Sequence, residues 1–206
     1  LIATIIALFF ADFLMGLKKK GVYPMIAFVG IVGMMAATLL LSARPPSHPF
    51  FGMITNDPMG RFFHYLFGLA GLLGIILSMR SREIEEQVDG PSYYTLLTAL
   101  VLGMMLLATS NHLLMIYLSL EMVSVLSYIL TGSVRGLRRS SEAALKYVIY
   151  GGVASGIMAY GISLLYGLTG TMDLATIAQF LSSHAVSRPV LFTSVLLMMA
   201  GFGYKI

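Results

Sequence analysis

The chain has 206 residues, of which 58% are hydrophobic and 11% are charged, whereas soluble domains average about 25% charged residues. Together with a mean hydropathy of +0.88, this composition excludes a soluble catalytic domain and indicates a membrane protein. The sequence has no cysteine, which excludes disulfides, thiolate metal sites and iron–sulfur ligation. The formal net charge of +4 lies in short loops between apolar runs, so it indicates membrane topology rather than nucleic-acid binding.

Hydropathy predicts seven membrane-spanning helices, because a helix needs about 20 apolar residues to cross a bilayer. A short segment over 172–181 has helical apolar spacing and is expected to lie along the membrane surface. The chain starts with Leu and stops inside an apolar run, so we expect a fragment whose last span is cut short. The first run lacks a preceding basic region and is not expected to be a signal peptide. The predicted spans cover residues 1–17, 22–43, 59–79, 92–110, 112–132, 143–167 and 190 to the end.

Lysine and arginine residues in the loops predict which side of the membrane each loop faces, since cytoplasmic loops collect them. The first, third and fifth loops hold eight such residues, and the second, fourth and sixth hold three. We therefore expect the odd loops in the cytoplasm and the N-terminus on the opposite side. The odd-loop residues are Lys18, Lys19, Lys20, Arg80, Arg82, Arg135, Arg138 and Arg139, and the even-loop residues are Arg44, Arg61 and Arg188.

Three charged residues lie inside predicted spans, where an ionisable group costs at least about 2.5–3.5 kcal/mol and usually marks an ion or proton path. Glu121 is halfway along the fifth span, too deep for its short side chain to reach water. Lys146 is about one turn into the sixth span and four residues after Glu142, so an ordinary helical ion pair is an equally good interpretation. Lys205 follows two glycines that weaken the seventh span and predict a broken helix; the alternative is a lysine at the exit of an ordinary span.

The other polar residues indicate caps and packing. Asp12 is interpreted as an interfacial carboxylate near Lys18, and Asn111 and His112 as solvated caps in a tight turn. No histidine has metal-ligand spacing with a carboxylate, and the sequence contains no dinucleotide or Walker-type phosphate loop. Small-residue faces that let helices approach closely are predicted at Gly152 with Gly156 and at Gly68, Gly71 and Gly74.

Short blocks between residues 117 and 205 carry a resemblance to a known family. They are YLSLEM (117–122), SYIL (127–130), RSSEAALKY (139–147), GISLLYG (161–167), TGT (169–171) and GFGYK (201–205). In order and spacing they resemble subunit N of proton-pumping NADH:quinone oxidoreductase, respiratory complex I. The resemblance covers residues 92–206, whereas residues 1–91 match only in hydropathy and in having three leading spans. Tyr204 stands where the family usually has Phe.

The resemblance implies an all-α polytopic transmembrane helical bundle with the antiporter-like fold, of which this chain is the N-terminal half. Residues 1–206 would form a single transmembrane domain, with three leading helices in 1–91 and the start of the first inverted repeat in 92–206. It implies a bacterial-type inner membrane, and lipid and neighbouring antiporter-like subunits of complex I as partners. NADH, FMN, iron–sulfur clusters and quinone are expected in other subunits, with no cofactor on this chain.

The resemblance also implies that Glu121, Lys146 and Lys205 translocate protons, driven by quinone reduction elsewhere in the complex. Lys146 would pair with Glu121, with Glu142 or with a charge of a neighbouring subunit. Two other interpretations remain open: a subunit of a multisubunit cation/proton antiporter or membrane-bound hydrogenase, and a structural scaffold whose buried charges only hold helices together. The side chains expected to line the path are Ser119, Ser124, Ser127, Tyr128, Ser155 and Tyr160.

Overall fold

The computed structural model describes residues 1–15, 21–41, 49–81, 84, 87–134 and 136–205. In these ranges the chain is helical apart from short loops and two isolated β-bridges, which confirms the predicted all-α class. The helices are α1 (Ile2–Met15), α2 (Val22–Leu41), α3 (Pro58–Met79), α4 (Gly90–Thr109), α5 (Leu113–Thr131), α6 (Arg138–Thr169), α7 (Leu174–Ser183) and α8 (Arg188–Lys205).

Five of the seven predicted spans, α2 to α6, are long and apolar enough to cross a membrane. Within the described residues, α1 has 14 residues, which at about 1.5 Å each reach only about 21 Å of a hydrocarbon core roughly 30 Å thick. The other exception, α8, has 18 residues in the described part of the chain, which ends at Lys205, and these 18 residues include Arg188 and Lys205. By contrast, α6 has 32 residues and extends past both of its predicted bounds.

Local sequence signals explain where helices begin and end. The Asp57 carboxylate caps α3 by accepting a hydrogen bond from the Gly60 N–H at 2.6 Å. Asp173 caps α7 and accepts from both the hydroxyl of Thr176, at 2.7 Å, and its N–H, at 2.8 Å. Because these two bonds favour the charged form, they hold the pKa of Asp173 below its ordinary value. At its C-terminal end, α6 stops at Gly170, whose φ of +69° suits glycine.

The buried apolar side chains form two clusters, one in each half of the chain. The first cluster joins α1, α2, α3 and α4, and the second joins α5 and α6 to the short α7 and to α8. The extensive contact between α4 and α5 connects the two halves. The first cluster contains Leu8, Tyr23, Ala27, Ile31, Ile75, Tyr94, Val101 and Met105, and the second contains Leu113, Met158, Ile162, Leu165 and Ile177.

The second, fourth and sixth loops meet at one end of the bundle. The Asn111 N–H donates to the Met53 carbonyl at 2.9 Å, and the Leu113 N–H donates to the Met172 carbonyl at 2.8 Å. These backbone bonds join the three loops that the alternating topology assigns to one side of the membrane. Which side they face stays a prediction from the basic residues, of which Lys18, Lys19, Lys20, Arg44, Arg82 and Arg135 lie outside the described residues.

Close helix contacts occur at some of the predicted glycines and not at others. A Cβ atom on Gly71 would lie 2.7 Å from Val101, so the predicted small-residue face of α3 does pack closely. On α6 the prediction is wrong within the described chain, because a Cβ on Gly152 or Gly156 would touch nothing within 4 Å. The close contact is made instead at Gly161, where a Cβ would lie 2.8 Å from the backbone of α8.

Candidate functional site

An ion pair joins α5 to α8 in the second half of the bundle. The Nζ atom of Lys205 lies 2.5 Å from Oε1 of Glu121. The Lys205 side chain is 6% exposed and the Glu121 side chain 25%, so both charges are largely shielded by the protein. The structure thus brings together two of the three predicted site residues, although 84 positions separate them in the sequence.

Two serines extend this ion pair into a network that connects three helices. From α6, the hydroxyl of Ser155 donates to Oε1 of Glu121 at 2.5 Å. Lys205 also donates to the hydroxyl of Ser124 at 2.9 Å, and that hydroxyl donates to the Leu120 carbonyl at 2.7 Å. The Glu121 oxygen therefore receives two donors, one of them charged, and such charge-assisted bonds are stronger than neutral ones. Both serines were predicted to line the path.

The interface between α6 and α8 places Lys205, and it is the most extensive helix–helix contact in the described chain. A Cβ atom on Gly201 would lie 2.4 Å from Cβ of Met158 and 2.9 Å from the Ala154 carbonyl. The Ser194 hydroxyl donates to the Gly161 carbonyl at 2.8 Å and is fully buried. This interface was not predicted from the sequence. The spacing of seven between Ser194 and Gly201, which puts two small residues on one helix face, was the available signal.

The two glycines before Lys205 do not break the helix within the described residues. Instead, α8 continues through Gly201 and Gly203 to Lys205. The helix stays continuous because Gly201 is packed against α6, which holds α8 in place at this point. Gly203, in contrast, faces open space. Intact helical hydrogen bonds offset the weak helical preference of glycine.

Lys146 lies apart from the ion pair. Its Nζ atom is 2.6 Å from Oε1 of Glu142, and the two side chains are 65% and 63% exposed. Of the alternatives left open for Lys146, the ordinary helical pair with Glu142 is therefore the one that forms within this chain, and the contact with Glu121 does not. Exposed pairs at this spacing contribute only about 0.3–0.5 kcal/mol.

The remaining predicted lining residues do not hydrogen-bond the ion pair in the part of the chain described. Ser119 has a buried hydroxyl without a partner, Ser127 donates to a carbonyl of its own helix, and Tyr160 is exposed. Tyr128 is buried, one turn beyond Ser124. The face that meets α6 and α8 thus holds Glu121, Ser124 and Tyr128, whose spacing of three and four is that of one helix face.

The polar residues assigned to caps are only partly as expected. His112 is the N-cap of α5, but its side chain makes no capping bond, and its Nδ1 atom is buried without a partner; the solvated-cap interpretation is therefore wrong. Asp12 is exposed, while Lys18, its expected neighbour, lies outside the described residues. Among the described residues, no group of three His, Asp or Glu could hold a metal ion.

Comparison with known proteins agrees with this architecture. The family model described as NADH:quinone oxidoreductase/Mrp antiporter, transmembrane, matches residues 110–206. The chain is 45% identical over 190 residues to NADH-quinone oxidoreductase subunit N 2 of Chloroherpeton thalassium, and 41% identical over 190 residues to subunit N of Chlorobium chlorochromatii. These alignments cover 91% and 92% of this chain but 37% of each relative. The chain thus spans little more than a third of the length of these curated relatives.

Solved structures share the fold over nearly the whole chain. Respiratory complex I from Thermus thermophilus with bound aureothin matches with a TM-score of 0.77 at 26% identity, covering 98% of this chain and 42% of that chain. At 15% identity, an Mrp complex from a Dietzia species shares the fold with a TM-score of 0.75, covering 98% of this chain and 39% of that chain. This chain is an integral membrane protein, and it belongs to the family of antiporter-like membrane subunits of NADH:quinone oxidoreductases and Mrp antiporters.

Proposed function

We propose that the chain is part of subunit N of a bacterial NADH:quinone oxidoreductase and that it translocates protons through its buried charges. The relatives named subunit N support the assignment to this complex. The observation that carries the proposed activity is the shielded pair of Lys205 and Glu121, which links two helices through side chains that can both gain and lose a proton. The subunit lies in the inner membrane with its odd loops in the cytoplasm, among other membrane subunits. NADH, FMN, iron–sulfur clusters and quinone bind elsewhere in the complex.

The geometry supports a mechanism in which the ion pair opens and closes. While the pair is closed, the Lys205 ammonium and the Glu121 carboxylate attract each other across 2.5 Å in a site that is largely shielded from water. When α8 moves relative to α5, each side chain loses its partner. Lys205 can then give its proton to a neighbouring hydroxyl or water, and Glu121 can take one up. When the pair closes, the protonated Glu121 passes its proton to the neutral Lys205 amine, which restores both charges. One cycle therefore takes up one proton at Glu121 and releases one from Lys205, without net chemistry on the chain.

The contacts of α8 indicate how a distant signal reaches the pair. Because α8 packs on α6 through Gly201, the two helices move together, whereas only side chains join α8 to α5 at the site. A shift of the α6–α8 unit against α5, driven by quinone reduction elsewhere, would lengthen the bond between Lys205 and Glu121. Lys146 is proposed as a third proton-carrying group, which exchanges Glu142 for an acidic group of a neighbouring subunit.

The test combines substitutions at the two ends of the pair with a measurement of assembly. Glu121→Ala should lower proton pumping and quinone-coupled turnover in membranes where the complex still assembles, and Glu121→Asp should retain part of both. Lys205→Arg distinguishes a carrier from a structural cation, because a guanidinium keeps its proton in proteins. It should therefore impair pumping nearly as much as Lys205→Ala. If Glu121→Ala and Lys205→Arg complexes both pump at the normal rate, the pair only holds helices together and the scaffold interpretation is correct.

A further inference from the structure

Tyr128 lies next to the ion pair, and the mechanism above does not use it. We propose that its hydroxyl is a further proton-carrying group, connecting the Glu121–Lys205 pair to the loop that joins α5 and α6, and that Gly151 is the residue that seats this hydroxyl. The proposal rests on the proposed proton translocation and adds a residue to that path.

The position of Tyr128 continues the polar face of α5 beyond the ion pair. It is seven residues after Glu121, which is about 10.5 Å along the helix axis on the same face. Ser124 fills the interval, and its hydroxyl accepts a hydrogen bond from Lys205. The Tyr128 phenol lies beside Ser124 and within the electrostatic reach of Glu121. Its side chain is 7% exposed, so the hydroxyl is inside the protein rather than at a surface.

The Tyr128 phenol packs against α6 at Gly151. A Cβ atom at this position would lie 1.9 Å from Oη of Tyr128 and 2.5 Å from its Cζ atom. No side chain fits there, so the tyrosine hydroxyl rests on the helix backbone. The ring of Tyr147 meets the Tyr128 ring at an interplanar angle of 70°, with centroids 4.5 Å apart. The phenol is thus held between α5 and α6 in a defined position.

The register of the α5–α6 hairpin puts this phenol on the route to the loop. The two helices run antiparallel, and Glu121 faces Ser155 in the layer of the ion pair. Tyr128 lies in the next layer, and beyond it Gly132 approaches Ala144, with a distance of 3.0 Å from an added Cβ to the Ala144 Cβ. A proton that enters from the side of the predicted cytoplasmic loop therefore passes Tyr128 before it reaches the pair.

A tyrosine hydroxyl has the chemistry that such a step needs. It is both a donor and an acceptor, so it can give its proton to the group on one side while its oxygen accepts a proton from the other. Rotation of the hydroxyl restores the starting state, and no oxidant or other reactant is consumed. A phenylalanine at the same position keeps the ring and its packing but cannot perform this transfer.

The test is Tyr128→Phe in the full complex, with Tyr147→Phe as the matched control that also loses a phenolic hydroxyl. Initial rates of NADH-driven acidification of inverted vesicles are compared per assembled complex, in H₂O and in D₂O. Tyr128→Phe should slow pumping about threefold or more. The loss should be smaller than the roughly hundredfold or larger rate contribution of a general acid, because a water molecule can replace the hydroxyl. Its solvent isotope effect should rise, which loss of packing alone would not cause. Tyr147→Phe should leave both measurements unchanged.

A second pair of variants tests the role of Gly151. Gly151→Ala must displace the phenol by more than about 1.5 Å to reach ordinary contact, so it should reproduce the slower pumping and larger isotope effect. Gly152→Ala, on the open side of the same helix, should not. If Tyr128→Phe pumps at the wild-type rate with an unchanged isotope effect while Glu121→Ala and Lys205→Arg are impaired, the tyrosine proposal is overturned and the proposed function stands. If those two also pump normally, the proposed function itself fails.

Discussion

A single methyl group at position 201 tests whether the α6–α8 interface sets the geometry of the ion pair. Ordinary carbon–carbon contact begins at about 3.5 Å, and a Cβ on Gly201 would stand 2.4 Å from Cβ of Met158. Neither this atom nor the Ala154 carbonyl, 2.9 Å away, can rotate aside, because both are on or next to the α6 backbone. Gly201→Ala must therefore push the two helices apart by about 1.1 Å.

The expected effect follows from that displacement. Lys205 is one turn beyond position 201, so a full transfer of the shift lengthens its 2.5 Å contact with Glu121 to about 3.6 Å, outside hydrogen-bond range. At an effective dielectric constant of about 20, this weakens the Coulomb attraction by about 2 kcal/mol, or roughly thirtyfold in an equilibrium constant. The better helical preference of alanine offsets about 1 kcal/mol of this loss. We therefore expect Gly201→Ala to weaken the closed ion pair and to lower the stability of the helix packing.

The assay compares Gly201→Ala with Gly203→Ala in membranes that contain the whole complex. A Cβ on Gly203 touches nothing within 4 Å. This control variant therefore gains the better helical preference of alanine without a steric clash. Thermal stability of the assembled complex and the initial rate of proton pumping should both fall for Gly201→Ala and hold or rise for Gly203→Ala. Equal stability and equal pumping in the two variants would refute the argument that close packing at Gly201 positions Lys205.

Three further predictions concern other parts of the bundle. Ser155→Ala removes a hydrogen bond to the charged Glu121, worth about 1.5–3 kcal/mol, and should slow pumping by about tenfold; Ser163→Ala, whose hydroxyl bonds its own helix at an exposed position, should pump normally. A cysteine at Ser133 should resist an impermeant reagent added outside intact cells and react in inverted vesicles; the reverse pattern would invert the predicted topology. Asp173→Ala should destabilise α7 by about 1 kcal/mol, and Asp173→Asn by much less. Since the folded-state pKa of Asp173 is lowered, this cap stabilises fully above the unfolded pKa of about 3.9 and is lost as the pH falls through the folded value; melting curves that do not depend on pH in that range would contradict it.

The positions of the helices could be predicted from the sequence because hydropathy is a local property. The bilayer requires long apolar runs, and their lengths and breaks appear directly in the order of residues. The same reasoning identified Glu121 and Lys205, since an ionisable side chain inside an apolar run is costly wherever it points.

The sequence by itself therefore predicted an all-helical membrane chain, the positions of its apolar helices and, among three candidate charges, the two that form the buried ion pair. Only the tertiary structure decided which cation meets Glu121: it is Lys205, and not Lys146, which stays with Glu142 on an exposed face. It also decided that α8 continues through its two glycines as far as Lys205, the last described residue, and that Gly161 and Gly201, rather than Gly152 and Gly156, make the close contacts. The physical reason is that pairing depends on how a helix is rotated about its axis, and that rotation is set by the packing of side chains from distant parts of the chain.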